Sequence, residues 1–307
     1  MRRVAAIDIG TNTVLLLVLE ADGAGARALV ERATITRLGK GVDRTHALAP
    51  EASARTLTCL ADYAEELRRA GAERLDVVGT SALRDARGGE TFLKEAERLL
   101  GVRPRVIAGE EEARLTFAGA TSGLELDGAL LVFDIGGGST ELVSGAREGG
   151  RARVASAVSL DIGSVRLFER HVASDPPSAS ELTRVRADVR AALTSAPRPP
   201  AGVTVVGVAG TVTSLAAVEL ALTEYDPSRV HGAVLTQGAV SALTARLGGM
   251  SLSERRGTPG LEPGRADVIV VGATLVEELL AWASAPRMVV SDRGVRWGVA
   301  LGLLGQA

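Results

Sequence analysis

An α/β fold of two similar domains around a ligand cleft is what this sequence predicts, and three observations carry the reading. Apolar runs of strand length alternate with amphipathic helical stretches along the chain. The segment Leu131-Val132-Phe133-Asp134-Ile135-Gly136-Gly137-Gly138-Ser139-Thr140-Glu141 reads as a buried strand, an acidic residue near its end, a Gly turn and a second strand. A weaker copy, Ala5-Ala6-Ile7-Asp8-Ile9-Gly10-Thr11-Asn12-Thr13, opens the chain, with Asp8 matching Asp134, Gly10 matching Gly136 and Thr13 matching Ser139. A repeated supersecondary unit suggests a repeated domain, and ligands commonly sit between domains.

Each element has a local cause. Residues 4–20 form the opening hairpin, and 27–38 a further strand. Leu57, Leu60, Ala64 and Leu67 recur at helical spacing between Pro50 and Ala70, and Gly71 stops that helix. Leu75 to Val78 is a short strand running into Gly79-Thr80-Ser81-Ala82-Leu83-Arg84-Asp85. A helix over 90–100, a strand at Arg105-Val106-Ile107 and a helix from about Glu110 follow. The second hairpin starts near Leu130. A helix spans about 178–194, and Pro197, Pro199 and Pro200 make the next stretch a loop. Val203 to Val208 is a buried strand ending in Ala209-Gly210-Thr211, with a helix after it. Ile269, Gly272, Leu275, Val276 and Leu279 mark a long helix, Met288 to Val290 the last strand, and a closing helix follows Gly294.

Composition narrows the function. The 307 residues suffice for two ordinary domains, and 46% hydrophobic content suits a globular core. Aromatic residues are only 3%, so Val, Leu, Ile and Ala must build that core. A net charge of −2 argues against a nucleic-acid or membrane-surface binder. It leaves room for an anionic ligand at a local basic site, and with lysine only at Lys40 and Lys94 that base would be Arg. Cys59 is the single cysteine and fits a small core residue. His46, His171 and His231 have no ligand spacing. No uncharged run reaches the ~20 residues of a membrane span, and Asp8 interrupts the first apolar run too early for a secretory leader. A cytoplasmic location is expected.

The repeated turn points to phosphate. Glycine lets the backbone bend and a ligand approach, successive N–H groups form an anion-binding nest, and an adjacent Asp can hold a cation that neutralises phosphate charge. Taken singly, each turn describes a Gly-rich hairpin equally well. Repetition with the Asp kept in both copies is what suggests a clamp on a phosphorylated ligand.

Further motifs lie in a fixed order with these turns. They are Gly79-Thr80-Ser81-Ala82-Leu83-Arg84, Gly109-Glu110-Glu111-Glu112-Ala113-Arg114, Leu160-Asp161-Ile162-Gly163-Ser164-Val165-Arg166-Leu167 and Gly207-Val208-Ala209-Gly210-Thr211. Arg265-Ala266-Asp267-Val268-Ile269 and Ser291-Asp292-Arg293-Gly294-Val295-Arg296-Trp297-Gly298 complete the set. The ordered set resembles the exopolyphosphatase / guanosine pentaphosphate phosphohydrolase (Ppx/GppA) family over essentially the whole chain. The resemblance implies an α/β fold of two ribonuclease-H-like domains of the actin/hexokinase/Hsp70 superfamily, with the active site in the interdomain cleft. The expected domains are 1–122, with room for the C-terminal helix at about 293–307 to pack back on it, and 123–292. It also implies Mg²⁺-dependent removal of a terminal phosphoryl group from inorganic polyphosphate or from the 5′ end of pppGpp.

Two departures stand out. Trp297 occupies a position where the family usually carries Glu. The length resembles the short form without additional helical domains, which implies a preference for short polyphosphate.

Residue roles follow from the same resemblance. Glu112 matches the catalytic glutamate that activates or orients the attacking water, although Glu110, Glu111 and Glu112 alone would serve as first-turn helix charges. Asp134, Glu141 and Asp8 are the expected Mg²⁺ ligands, a sparse acidic set of the kind Mg²⁺ prefers. Asn12, Thr13, Gly136, Gly137, Gly138, Ser139, Thr140, Gly210 and Thr211 are expected to donate to phosphate oxygens, and Arg84 to pair with them. Arg166, Arg265 and Arg293 are further basic candidates, while Asp267 reads as either a helix charge or part of the cleft rim. Exopolyphosphatase is the leading function and pppGpp 5′-phosphohydrolase the alternative. A superfamily kinase or ATPase fits the turns but not the Glu112 motif, and a non-catalytic ppGpp-binding protein is the second alternative, ranked low because Glu112, Asp134 and Glu141 are all present. A homodimer and inhibition by ppGpp are expected; nucleic-acid and membrane partners are not.

Overall fold

The computed structural model describes residues 1–22, 25–87, 89–148 and 151–306. Positions 23, 24, 88, 149, 150 and 307, which the expected domain ranges include, lie outside the described residues. The chain divides into two compact units: Met1–Gly119 with the segment from Val295 onward, and Ala120–Gly294.

The first unit is built on a five-stranded sheet. Its strands are β1 (Arg2–Ile9), β2 (Thr13–Asp22), β3 (Gly25–Ile35), β4 (Arg74–Gly79) and β5 (Arg105–Val106), in the order β3-β2-β1-β4-β5. β1, β2 and β3 form an antiparallel meander, whereas β4 and β5 run parallel to β1. The helices are α1 (Val42–Thr45), α2 (Pro50–Ala70), α3 (Ser81–Asp85), α4 (Gly89–Leu100) and α5 (Gly109–Thr121), the last two residues of α5 falling in the second unit. α2 starts on Pro50 and stops at Gly71, whose φ of 66° closes the C-terminus in the left-handed region.

Strand alternation gives this sheet two apolar faces. Ala5, Ile7 and Ile9 pack with Leu16, Cys59, Leu60, Tyr63 and Phe92, drawing in α2 and α4. Val4 and Ala6 face the other way and pack with Leu17, Leu19, Val78, Val295, Trp297 and Val299. The C-terminal helix Val295–Leu304 is therefore part of this unit's core. Trp297, only 4% exposed, fills that core, so the position has an apolar role here. The helix lies so close to α5 that a Cβ on Gly298 would sit 2.0 Å from the Leu115 carbonyl oxygen.

The second unit repeats the plan. β6 (Gly128–Ile135), β7 (Thr140–Glu148) and β8 (Arg151–Leu160) form an antiparallel meander. α6 (Ser164–His171), α7 (Ala179–Leu193), β9 (Thr204–Val208), α8 (Ala209–Glu219), α9 (Pro227–Val230), β10 (Val234–Thr236), α10 (Gln237–Gly248), α11 (Leu252–Arg256), α12 (Ile269–Trp282) and β11 (Arg287–Val290) follow. The C-terminal helix is thus α13. The sheet order is β10-β11-β9-β6-β7-β8, with β9 parallel to β6 and β11 parallel to β9. A three-stranded meander with parallel strands added beside its first strand is the ribonuclease-H-like plan, present twice. α12 is apolar almost all round, as a helix buried inside a domain must be, and the core gathers around it.

Gly298→Ala is expected to push α13 off α5. Overpacking of this kind costs about 1–3 kcal/mol, which thermal unfolding would register as a drop of several degrees. An unchanged melting temperature would mean that the α5–α13 approach is looser than described.

Candidate active site

In the first unit, three parallel strands end side by side, since Ile9 pairs with Gly79 and Gly79 with Val106. Carboxyl ends of parallel strands are where α/β sheets receive ligands. The turn after β1 is closed by the Gly10 N–H donating to the Thr13 carbonyl at 3.1 Å. Its outer carbonyls are then captured: Gly39 N–H donates to Thr11 O at 2.8 Å, and the N–H groups of Thr36 and Arg37 donate to Asn12 O at 3.1 and 3.0 Å. In a trans peptide the C=O and the next N–H point opposite ways. Fixing the Thr11 and Asn12 carbonyls on the Thr36–Gly39 loop therefore aims the Asn12 and Thr13 N–H groups away from it. Gly39 gives the Thr11 side chain its room, since a Cβ there would fall 2.3 Å from Thr11 Cγ2.

The neighbouring strand ends add a buried carboxylate and an arginine. Asp8, Asn12, Thr13, Thr80, Ser81 and Glu112 are all buried polar residues. Thr80 N–H reaches Ile9 O at 3.3 Å, tying the β4 end to the turn. α5 opens at Gly109 just beyond β5 and carries Glu112 in its first turn. Arg84, on α3, donates from Nη1 to Glu112 Oε2 and to the Ile107 carbonyl, both at 3.0 Å. The expected phosphate contact and the expected catalytic carboxylate are thus an ion pair in this structure, Glu112 being the more deeply buried partner.

The second unit holds its turn by the same logic. Gly136 N–H closes onto Ser139 O at 3.0 Å. Ser164 N–H donates to Gly136 O at 3.0 Å, and the N–H groups of Val165 and Arg166 donate to Gly137 O at 2.9 Å. Arg166 Nε donates to Gly138 O at 2.6 Å. Three consecutive carbonyls face the start of α6, so the N–H groups of Gly137, Gly138 and Ser139 face away, making the concave nest that suits an anion. Gly163 sits directly behind, where a Cβ would fall 2.4 Å from Gly137 O.

Beside this turn, β9 ends at Val208 and the chain enters α8 through Ala209, whose φ of 74° is uncommon for a residue with a side chain. Arg265 lies across Gly210 so closely that a Cβ at Gly210 would be 2.1 Å from its Nη1. Gly272 leaves the space that Thr211 occupies.

Some expected roles shift. The Thr140 hydroxyl donates to the Ile162 carbonyl at 2.6 Å and is fully buried, so it braces the Gly163 segment instead of donating to a ligand. Arg293 Nη1 donates to the Ser122 carbonyl at 3.2 Å and thereby caps the end of α5. Asp267 accepts from the Val268 N–H at 3.0 Å, a local role at the start of α12. Gly39 and Gly163 were missed as site residues. The signal was present: each is a glycine shortly after the third strand of its meander.

Among the described residues, no group of three or more His, Cys, Asp or Glu side chains is gathered as a metal site. Mg²⁺ does not need one, since it takes one or two carboxylates plus water and phosphate oxygens. Asp134 and Glu141 are direct cross-strand partners, so both carboxylates share one face of the hairpin, 9% and 1% exposed. Like charges in that position destabilise a sheet, and a divalent cation would offset the repulsion. Glu141 Oε1 also accepts from Ser159 Oγ at 2.8 Å, which fixes its orientation. This donor chemistry fits Mg²⁺.

Two units, each presenting a braced turn at the ends of parallel strands, define an α/β protein of duplicated ribonuclease-H-like plan. Comparison with known proteins gives the family. The Ppx/GppA phosphatase family matches residues 17–307. Exopolyphosphatase 2 of Mycobacterium tuberculosis is 42% identical over 322 residues, covering 99% of each chain. The crystal structure of an exopolyphosphatase-like protein superposes with a TM-score of 0.92 at 38% identity, covering 98% of this chain and 97% of that one. A guanosine-5′-triphosphate,3′-diphosphate pyrophosphatase of Aeromonas salmonicida is 30% identical over 98% of this chain and 59% of its own length. The chain belongs to the Ppx/GppA phosphatase family.

Gly163→Ala should displace the Gly137 peptide, because the obstructing atom is backbone and cannot swing aside. Tripolyphosphate binding, followed calorimetrically, is expected to weaken by about tenfold or more, the scale of a lost charge-assisted hydrogen bond. Parent-like affinity would show that the turn does not touch the ligand.

Proposed function

We propose that this protein is an exopolyphosphatase that hydrolyses the terminal phosphoanhydride of inorganic polyphosphate, short chains in particular, and releases orthophosphate. The observation that carries the reading is Glu112, buried and oriented by Arg84 on the helix that opens beyond β5, in a chain similar over its whole length to an exopolyphosphatase.

In the proposed reaction, Glu112 orients a water and takes its proton as the water oxygen attacks the terminal phosphorus. The bond from that phosphorus to the bridging oxygen breaks, and the shortened chain leaves with the bridging oxygen. Backbone N–H groups of Asn12, Thr13, Gly137, Gly138 and Ser139, with those of Gly210 and Thr211, would hold the phosphate oxygens. Arg84 keeps Glu112 in place and would share its charge with a bound phosphate. Asp134, Glu141 and Asp8 are the proposed Mg²⁺ ligands. When bound, the ion would neutralise phosphate charge.

A second reading, pppGpp 5′-phosphohydrolase, is supported by the similarity to the Aeromonas salmonicida pyrophosphatase. The same proposal includes a homodimer, inhibition by ppGpp and a cytoplasmic location. No helix among the described residues is long and apolar enough to cross a membrane.

Phosphate release from tripolyphosphate, long polyphosphate, pppGpp and ATP at equal concentration, with and without Mg²⁺, tests both readings. Polyphosphate is expected to be the fastest substrate; release mainly from pppGpp would transfer the assignment to the second reading, and none from any of them would leave a binding protein. Glu112→Gln is expected to lower kcat by about 10²-fold or more while polyphosphate still binds, and a fully active variant would remove Glu112 as the base. Asp134→Asn should raise the Mg²⁺ concentration needed for half-maximal rate, or abolish the rate. A Mg²⁺ titration that matches the parent would remove Asp134 from the ligand set.

A further inference from the structure

The two turns are braced alike but by different atoms. In the first unit the Thr11 and Asn12 carbonyls are braced by backbone N–H groups, two of them, from Thr36 and Arg37, on the Asn12 carbonyl. The matching carbonyl in the second unit belongs to Gly138, and it is held by a side chain, Arg166 Nε, at 2.6 Å. This is also where bracing is most needed. Three glycines in succession leave the 136–138 backbone the most permissive stretch of either turn, and the Gly138–Ser139 peptide could rotate and carry the Ser139 N–H out of the nest.

We infer that Arg166 is a positioning residue of the phosphate site: its Nε–H locks the Gly138 carbonyl, so that the Ser139 N–H joins those of Gly137 and Gly138 in facing the ligand. The inference rests on the reading of the 136–140 turn as a phosphate cradle. It assigns Arg166 an action through Gly138, in place of the direct charge contact that its residue type suggests. The brace is a single N–H on a side chain three carbons long, and its geometry is specific. The α6 backbone places that side chain, because Val165 and Arg166 are themselves anchored to Gly137 O.

Side-chain chemistry separates the two roles. Glutamine carries an amide N–H at the position of the arginine Nε, one bond beyond Cδ, without the charge. Methionine has similar length and no donor. Lysine keeps the charge but places its nitrogen one atom further out. Arg166→Met is expected to lower kcat/KM for tripolyphosphate by about tenfold or more, the scale of a lost hydrogen-bond donor in a preorganised site. Arg166→Gln should recover most of that loss, and Arg166→Lys should not. The reverse pattern, with lysine active and glutamine inactive, would overturn the proposal in favour of a direct charge contact, and three variants equal to the parent would overturn it outright.

A readout without ligand keeps the brace separable from the function. The backbone amide resonance of Ser139 reports the orientation of its peptide. It is expected to shift in Arg166→Met and to return toward the parent position in Arg166→Gln, whether or not the parent releases phosphate. An unmoved resonance in Arg166→Met would show that the peptide is held without Arg166. A parent that neither binds nor hydrolyses tripolyphosphate, with the resonance still moving as expected, would refute the phosphate reading while leaving the brace in place.

Discussion

A peptide plane carries its acceptor on one side and its donor on the other, and this site depends on which way a few such planes are turned. A glycine turn is only a flexible link until its carbonyls are held. Here they are held in both units, by the Thr36–Gly39 loop and by the start of α6 with the side chain of Arg166. Once the acceptors are fixed, the donors have no choice of direction. The meander supplies the bracing segment automatically, because its third strand runs beside the second and delivers the chain back to the turn. Gly163 is required by that return, since a larger residue would strike the turn backbone it braces, and Gly39 leaves room there for the Thr11 side chain.

The buried carboxylate and its arginine partner come from a different part of the same sheet. β4 and β5 run parallel to β1, so Arg84 and Glu112 arrive from separate helices at the end where the turn already lies. Their pairing gives the carboxylate a defined direction. The neighbouring Glu111 shows the contrast: it pairs with Arg105 at the surface and belongs to the solvated side of α5.

Much of this was legible in the sequence, for reasons that differ by element. α2 could be read to the residue because Pro50 and Gly71 mark its ends and leucines mark its face. The repeated hairpin was visible because Asp, Gly and a hydroxyl residue recur in register. β8 escaped notice although Val154, Val158 and Leu160 alternate along it, because the intervening alanines and serines resemble a loop. α10 was also passed over, despite Val240, Leu243 and Leu247 at helical spacing. Roles that depend on a partner distant in sequence were the hardest. Nothing local to Thr140 reveals that Ile162 takes its hydroxyl, and nothing local to Arg293 reveals Ser122. Arg84 was marked by the family resemblance and Arg166 as a further basic candidate, whereas what each nitrogen bonds to is decided only by the fold.

The placement of α13 has a consequence for the order in which the protein can be made. The second unit is one unbroken segment, Ala120–Gly294, and can finish folding once that segment has left the ribosome. The first unit is begun earlier but must wait longer. Val4, Ala6, Leu17 and Leu19 present an apolar surface that Val295–Leu304 helps to cover, and those residues are synthesised after the whole of the second unit. The unit begun earlier is therefore completed later, with part of a sticky sheet face open throughout the synthesis of the other unit.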